Sequence, residues 1–309
     1  MSARVLVAGD ANLDLVLRGD VRPRFGQAEQ FLTGADLVLG SSAGICASGL
    51  ARLDADVALV ARVGDDVFGD RTRALLDAAG VDTGLLRTVP GATGLSVILS
   101  EGGDRSILTL PGAMATLSAS DVRAAVGQGR ATHLHVAAYF LVPGFAEWLP
   151  EVLAEAKASG LTTSLDPNWD PRQSWTGVAE CLPYVDVLLP NAAEAVALAG
   201  DAAASDAVAA ARLLAARGPL VVVKDGAAGG FAVVGDDVVR APGLVVDVVD
   251  TTGAGDSFDA GFLVAWLEGR EQADCLAWAA VAGSLSTTGT GGTGRQADRA
   301  ALLAALGRS

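Results

Sequence analysis

A carboxylate follows a glycine-rich turn late in the chain, in the run Asp250-Thr-Thr-Gly-Ala-Gly-Asp256. Large apolar side chains then recur at every fourth position, which predicts the buried stripe of a helix beginning near Gly255; they are Phe258, Phe262 and Trp266. Because Gly253 and Gly255 carry no side chain, the N–H groups at this helix start can approach an anion such as phosphate. Asp256 would then be placed to accept a proton from a hydroxyl that attacks the phosphate. An isolated Asp at a helix start is usually a cap, but the glycines before it favour a chemical role.

Polar side chains also follow the first apolar run, Val5–Ala8, where Asn12 and Asp14 stand. The carboxyl end of a buried strand is where ligands bind in sheets of parallel strands. A carboxylate at this place can accept hydrogen bonds from two sugar hydroxyls. The alternative is that Asp14 is an ordinary turn residue.

Asn191 and Glu194 stand three residues apart, after the apolar run Val185–Leu189. At a helix start this spacing puts both side chains on one face, toward the same crevice. Glu194 is alternatively an ordinary acidic residue of a first helical turn, where the helix dipole favours it.

Cationic and glycine residues complete the candidate set. Lys224 and Gly226 follow the run Leu220–Val223, and Lys224 is either one of the few cations that could offset phosphate charge or a solvated surface lysine. Arg105 belongs to a predicted hairpin and either closes over the substrate or is a charge on its rim.

Short Val- and Leu-rich runs alternate with Ala-rich amphipathic stretches along the chain, which predicts a mostly parallel sheet covered by helices on both faces. The predicted strands are Val5–Ala8, Val57–Arg62, His133–Ala138, Leu161–Leu165, Val185–Leu189 and Leu220–Val223. The predicted helices are Gly44–Leu53, Phe68–Ala79, Glu147–Ser159, Ala192–Leu198 and Ser205–Arg217. We expect one domain over residues 1–309, with inserted segments at about 18–39 and 93–110 forming a small β lid over the strand ends. The second segment would turn at Glu101-Gly-Gly-Asp104.

The amino-acid composition limits the classes of molecule that the protein is expected to bind. The 309 residues carry 22 Lys and Arg against 36 Asp and Glu, a formal net charge of −14, which argues against nucleic acid and anionic membranes. Three widely spaced cysteines form no disulfide framework, so a reducing cytoplasm is the expected compartment. His133 and His135 lack a third metal ligand, and we expect them to be structural.

Two nucleotide-binding patterns do not apply to this chain. The glycines 289, 291 and 294 match G-x-G-x-x-G, but they follow a helical segment rather than a strand, so a loop lining the nucleotide pocket is expected there. The P-loop consensus is absent. Phosphate binding must therefore use a structural motif other than these two.

The glycine-rich run resembles the C-terminal signature of the PfkB (ribokinase-like) carbohydrate kinase family. Four further segments are similar to family landmarks in the expected order, so the resemblance covers essentially the whole chain. These segments are Gly9–Asp14, Gly40–Leu53 with Val63–Gly69, Leu165–Arg172 and Pro190–Glu194.

The resemblance implies a three-layer α/β/α fold and an ATP-dependent sugar kinase, with Gly253, Ala254 and Gly255 forming an anion hole and Asp256 as the base. It assigns the acceptor to Asn12, Asp14, Gly40, Ser41, Arg105 and Asp166, and ATP to Asn191, Lys224 and Gly226 beside the anion hole. It also implies magnesium near Glu194, mostly through water. K⁺ near Asp250, Thr252 and residues 286–292 and a homodimer formed through the lid are further properties of some members.

The chain departs from the family pattern at three positions. Ser41 replaces a glycine, Ile45 replaces an Asn that contacts the sugar, and Asp259 stands where Asn is usual. The Ile45 change makes a less polar acceptor more credible, so a nucleoside kinase of the same family is the alternative. A catalytically silent protein that binds a nucleotide or sugar is a third hypothesis, against which the intact Asp256 argues.

Overall fold

A nine-stranded sheet forms the centre of the computed structural model, which describes residues 4–101, 104–200 and 206–307. Its strand order is β13-β12-β11-β10-β9-β8-β1-β4-β5. The strands are β1 (Arg4–Ala8), β4 (Asp56–Gly64), β5 (Leu86–Val89), β8 (His133–Val136), β9 (Thr162–Leu165), β10 (Val187–Leu188), β11 (Leu220–Lys224), β12 (Gly230–Val234) and β13 (Asp237–Ala241).

The sheet is parallel from β11 to β5 and antiparallel at the β11–β12–β13 edge. The mostly parallel α/β fold expected from the sequence is confirmed. Central strands such as β1 are buried along their whole length, as expected for a sheet covered on both faces. The sequence prediction lacked β5, β12 and β13, and it extended β10 beyond its two residues at both ends.

Helices cover both faces of this sheet and bury separate apolar cores. They are α1 (Ser42–Arg52), α2 (Val67–Ala78), α3 (Ala119–Val126), α4 (Phe145–Ala158), α5 (Val178–Cys181), α6 (Ala192–Ala199), α7 (Ala207–Ala215), α8 (Ala254–Leu267), α9 (Gln272–Ser286) and α10 (Arg299–Ala305). Residues of α1, α8, α9 and α10 pack in one core, and residues of α3 to α7 pack in the other. The predicted helix Ser205–Arg217 corresponds to α7, although Ser205 lies outside the described residues.

A separate sheet of four strands, here called the small sheet, has the order β3-β2-β6-β7. Its strands are β2 (Asn12–Gly19), β3 (Leu32–Leu39), β6 (Gly94–Glu101) and β7 (Asp104–Leu110). It begins at Asn12, earlier than the inserted segment predicted at about residue 18, so it directly follows β1 of the main sheet. Residues 102–103 of the predicted hairpin turn lie outside the described residues.

Among the described residues, no helix has both the length and the apolar character needed to cross a membrane. Cys46, Cys181 and Cys275 are all buried with free thiols. The two histidines of β8 make side-chain hydrogen bonds inside the core, since both rings bond Ser164 and His133 also bonds Thr162. These contacts agree with the structural role expected for both residues.

Candidate active site

The N-terminus of α8 lies at the carboxyl edge of the main sheet and has no side-chain cap among the described residues. Gly253 precedes the helix with φ +71°, and a Cβ on it would lie 2.6 Å from Cα of Gly292 and 2.9 Å from Cγ2 of Ile45. Only glycine fits this turn without strain. The first N–H groups of α8 therefore face the crevice without a side-chain acceptor, as an anion site requires.

Asp256 lies in the first turn of α8, and its Oδ1 accepts a hydrogen bond from the hydroxyl of Ser42. Burial raises the pKa of the Asp256 carboxyl to about 8, and the charge of Asp166 adds to this effect. The Ser42 hydroxyl and the Lys224 ammonium act in the opposite direction. The ionised carboxylate is therefore a base of useful strength near neutral pH.

Lys224 forms ion pairs with two buried acidic side chains near the start of α8. Its Nζ lies 3.0 Å from Oδ2 of Asp166 and 3.1 Å from Oδ2 of Asp259. The Lys224 side chain is 11 % exposed, so it is not the solvated surface lysine of the alternative interpretation. Burial lowers the pKa of Lys224, but the charges of Asp166 and Asp259 outweigh burial and the pKa stands above its usual value.

Carboxylate oxygens of Asp166, Asp256 and Asp259 lie within 4.8 Å of one another, a spacing that would suit a cation. The ammonium of Lys224 already lies between two of these groups, so we assign no metal ion there. Burial raises the pKa of Asp259 well above its usual value, whereas Lys224 holds the pKa of Asp166 below its usual value in spite of burial. Asp259, which departs from the family pattern, thus belongs to a buried charge network with Lys224.

The predicted acceptor residues Asn12 and Asp14 lie on β2 of the small sheet, and both are buried. Nδ2 of Asn12 donates to Oδ1 of Asp14 at 3.2 Å. A Cβ on Gly40 would lie 2.1 Å from the same Oδ1, so only glycine leaves room for this carboxylate. Burial and the charge of Asp10 raise the pKa of Asp14 to about 7.

The side chains of Ser41 and Ile45 are both buried, and their contacts lie at the starts of α1 and α8. The Ser41 hydroxyl accepts from N–H of Gly44 at 3.1 Å and caps α1, with φ +68° at Ser41. Ile45 is 3 % exposed, and its side chain fills the space beside Gly253 and Gly292. Both residues therefore shape the N-terminal turns of α1 and α8.

Arg105 extends from β7 to the segment that leads into α8. Its Nη1 donates to Oγ1 of Thr252 at 3.0 Å and lies 3.4 Å from Oγ1 of Thr251. Asp250 accepts from N–H of Thr252 and from N–H of Gly291, each at 2.9 Å. Burial raises the pKa of Asp250, but these N–H groups outweigh it and the pKa is low.

Asn191 and Glu194 form a reciprocal cap at the start of α6. Oδ1 of Asn191 accepts from N–H of Glu194 at 2.9 Å, and Oε2 of Glu194 accepts from N–H of Asn191 at 2.8 Å. Burial and the charge of Asp166 raise the pKa of Glu194 to about 7. Glu194 therefore caps the first turn of α6. Its carboxylate nevertheless lies close enough to Asp166 and Lys224 for their charges to affect its pKa.

A cavity of about 440 Å³ adjoins the N-terminus of α8. Lys224, Gly226 and Gly255 line it, and most other lining residues are apolar. They include Leu244, Val246, Phe258 and Ala280. The loop of residues 289–294 follows α9 and packs on Gly253 through Gly292, whereas the cavity lining in the described part of the chain ends at Thr287. The loop thus lies beside the start of α8 but not along this cavity, and its expected contact with the nucleotide stays a prediction.

Three residues of the site were not assigned a role from the sequence: Asp10, Ser42 and Asn168. The Asp10 carboxylate accepts from N–H of Ser42 at 3.2 Å and of Ala43 at 2.9 Å. Nδ2 of Asn168 donates to the Ser42 hydroxyl at 3.1 Å. Each residue lies inside a segment that resembles a family landmark, which was the only signal available for it.

Comparisons with known proteins agree with this geometry. The family model described as pfkB family carbohydrate kinase matches residues 37–298. An ATP-dependent ribose-1-phosphate kinase of Halopiger xanaduensis is 33 % identical over 97 % of this chain and 95 % of that protein. The ribokinase of Bacillus subtilis is 31 % identical over 94 % of each chain. The structure of Arabidopsis thaliana ribokinase with ribose and ATP superposes with a TM-score of 0.86 at 27 % identity, covering 100 % of both chains.

The chain belongs to the pfkB family of carbohydrate kinases. It is accordingly a phosphotransferase that uses a hydroxyl group as acceptor.

Proposed function

We propose that the protein transfers the γ-phosphoryl group of ATP to a hydroxyl of a small carbohydrate, with Asp256 as the base. The observation that carries this proposal is the N-terminus of α8, where an anion site without a side-chain cap and a half-buried carboxylate with a raised pKa occupy one helical turn. The similarity to ribokinases and to a ribose-1-phosphate kinase supports a pentose or a phosphorylated pentose as the acceptor.

ATP would bind in the cavity beside Gly226, with its phosphates at the N–H groups of Gly253 to Asp256. The helix dipole and the ammonium of Lys224 offset phosphate charge there. Local charges of this kind allow a chain of net charge −14 to hold a polyanion.

The acceptor would lie between Asp256 and the small sheet, bound by Asn12 and Asp14. As its hydroxyl oxygen forms a bond to the γ-phosphorus, the bond from that phosphorus to the oxygen shared with the β-phosphate breaks and ADP leaves. Asp256 takes the hydroxyl proton and later releases it to solvent. Arg105, reaching from β7 to Thr252, would help to keep water out of the closed site.

The resemblance implies magnesium near Asn191 and Glu194, and these residues fit it because their donors are hard oxygens. Burial and, after it, the charge of Asp166 raise the pKa of Glu194, so a cation beside this carboxyl would favour its ionised form. When bound with ATP, magnesium neutralises charge between the phosphates. Asp250 and Thr252 remain candidates for a K⁺ site, since both lie beside the anion hole.

A nucleoside kinase is the second candidate function. Ile45 places an apolar side chain where the family pattern has a sugar-binding Asn, which would favour a less polar acceptor. An adenosine kinase of Schizophyllum commune is 30 % identical over 69 % of this chain.

A panel assay separates these functions. ADP release would be measured with ATP and magnesium over pentoses, ribose 1-phosphate, hexoses, sugar acids and nucleosides, with Asp256→Asn as the inactive control. We expect one acceptor class to stimulate ADP release strongly in the wild type alone. Equal ADP release across the panel, together with measurable ATP binding, would support a silent binding protein and reject the proposal.

The remaining proposals concern the number of domains, the cellular compartment and the oligomeric state. We infer a single kinase domain that works in the cytoplasm, for which the free thiols of all three cysteines are support. We also propose a homodimer formed through the small sheet, whose edge strands β3 and β7 carry exposed apolar side chains such as Leu32 (41 %) and Leu108 (59 %). Light scattering after size-exclusion chromatography tests the dimer, and a monomer at micromolar concentration would contradict it.

A further inference from the structure

The hydroxyl of Ser42 lies between two side chains that are distant in sequence, Asn168 and Asp256. It is hydrogen-bonded to Oδ1 of Asp256, and Nδ2 of Asn168 donates to it at 3.1 Å. Ser42 is the first residue of α1, and its own N–H donates to the buried carboxylate of Asp10. The backbone of Ser42 is therefore fixed at both the helix and the sheet.

The orientation of the Asn168 amide is determined by its second contact. Its Oδ1 accepts from N–H of Ala138 at 2.6 Å, so the amide NH₂ must point toward Ser42. N–H of Asn168 donates to Oδ1 of Asp166 at 3.1 Å. Asn168 and Ala138 both have left-handed backbone conformations, with φ +58° and +60°, and such conformations persist where surrounding contacts impose them.

The direction of the Ser42 hydroxyl follows from these donors. Its oxygen accepts from Asn168, and its single proton is then left for Oδ1 of Asp256. Oδ1 takes part in this bond and Oδ2 does not, so we expect Oδ2 to receive the proton of the acceptor. A serine without Asn168 beside it could rotate its proton elsewhere.

Charged and titratable groups face Asp256 from every neighbouring element. Asp10 follows β1, Asp166 follows β9, Asp259 lies one turn further along α8, and Cys46 lies on α1. Burial and the charges of Asp166 and Asp10 disfavour ionisation of Asp256, and Lys224 of β11 favours it while also pairing with Asp166 and Asp259. The Ser42 hydroxyl favours the ionised carboxylate without adding charge to this crowded site.

We propose that Ser42, oriented by Asn168, is a positioning residue that favours the ionised form of Asp256 and keeps its carboxylate turned toward the acceptor. This inference rests on the proposed function, because it concerns the base of that same reaction. Ser42 has no direct contact with the reacting atoms in this assignment and acts through Asp256.

The test compares Ser42→Ala with Ser48→Ala. Ser48 is a buried serine of the same helix whose hydroxyl bonds only a backbone carbonyl, that of Gly44, among the contacts described. We expect Ser42→Ala to lower kcat by about 10- to 100-fold, as loss of a hydrogen bond to a charged group does. KM for ATP should stay within about threefold because the cavity and the start of α8 are unchanged. Ser48→Ala should leave kcat unchanged.

The pH profile separates a positioning role from a structural one. Without the hydroxyl, the pKa of Asp256 rises further, so the acid limb of kcat moves to higher pH by about one unit or more. Ser42→Thr restores the hydroxyl and should return the limb toward its wild-type position. Asn168→Gly, which tolerates the left-handed backbone, should reproduce part of the shift and serves as the test if Ser42→Ala does not fold.

A ¹³C NMR titration of the aspartate carboxyls in the wild type and Ser42→Ala, with Asp256 assigned from Asp256→Asn, gives a readout without turnover. A higher titration midpoint in Ser42→Ala supports the inference even if no acceptor is phosphorylated, in which case only the proposed function fails. An active wild type with the same kcat, pH profile and titration midpoint in Ser42→Ala would overturn the inference and leave the proposed function intact.

Discussion

The N-termini of α1 and α8 meet at the same crevice, yet their first N–H groups are satisfied in opposite ways. At α1, the Asp10 carboxylate accepts from Ser42 and Ala43, and the Ser41 hydroxyl accepts from Gly44. At α8, Gly253 supplies no side-chain cap. The start of α6 follows the first pattern, with its reciprocal Asn191 and Glu194 bonds.

The difference distinguishes a closed helix end from an open one. Residues 253–256 are half-buried, and under the proposed function the phosphates of ATP would satisfy the N–H groups of this open end. The closed end of α1 gives stability and carries Ser42 to the carboxylate of Asp256. Changes at α8 should therefore reduce activity, and changes at α1 outside Ser42 should mainly reduce stability.

The largest effect is expected from Asp256→Asn. Losing a general base costs about 10²- to 10⁴-fold in rate, so we expect kcat to fall by about 10³-fold. ATP affinity measured by calorimetry should change little, because the N–H groups of α8 remain. Asp10→Asn, at the end of α1, should reduce kcat by less than about tenfold. Comparable losses in the two variants would refute the contrast between the helix ends.

A smaller loss is expected from Gly253→Ala. Its Cβ would meet backbone 2.6 Å away and would displace the turn that exposes the N–H groups. We expect ATP to bind at least about tenfold more weakly, as for the loss of a charged hydrogen bond. The control is Gly269→Ala, which has a similar φ of +74° with nothing within 4 Å of the added Cβ. Both substitutions introduce backbone strain at a positive φ, but only Gly253→Ala should reduce the affinity for the nucleotide.

The stability of the ligand-free protein should also depend on pH, because the pKa of Asp256 in the first turn of α8 is raised. The pKa of Asp256 is about 8 in the folded state against an ordinary 3.8, so the folded protein holds a proton that the unfolded chain loses between these values. Stability from this group therefore falls as pH rises from about 4 to about 8. Asp256→Asn removes that loss, so its Tm should exceed the wild-type Tm by a few degrees at pH 8 and match it near pH 4. Equal Tm differences at both pH values would contradict the raised pKa.

The smallest effect concerns the cap of α1. Ser41→Ala should lower the free energy of unfolding by about 1 kcal/mol, because it removes an N-cap acceptor. Ser41→Gly loses the same acceptor but relieves the φ of +68°, so it should cost only a few tenths of a kcal/mol. Urea unfolding monitored by circular dichroism measures both. Because both variants lack the cap acceptor, a larger cost for Gly than for Ala would show that relief of the left-handed φ gives no stabilisation, which would contradict this prediction.

Local pattern predicted most of the central fold, because buried parallel strands and amphipathic helices each have a characteristic periodicity. The antiparallel edge strands β12 and β13 were not predicted. The role of the glycine-rich run before Asp256 could be predicted because Gly253, Gly255 and Asp256 all lie within one helical turn. The contacts of Ser42 with Asn168, and of Lys224 with Asp166 and Asp259, join distant segments that only the strand order brings together. The cap formed by Asn191 and Glu194 has a local spacing typical of a capping box and could have been predicted as such.

The junction between β1 and β2 gives the acceptor site a mechanical property. Asn12 and Asp14 belong to β2, so any displacement of the small sheet would displace them, whereas Asp256 is carried by α8. Under the proposed acceptor site, acceptor affinity and the position of the small sheet would be thermodynamically linked, and each would bias the other equally. Contacts far along β3 or β7 would in this way change the acceptor KM without touching the acceptor.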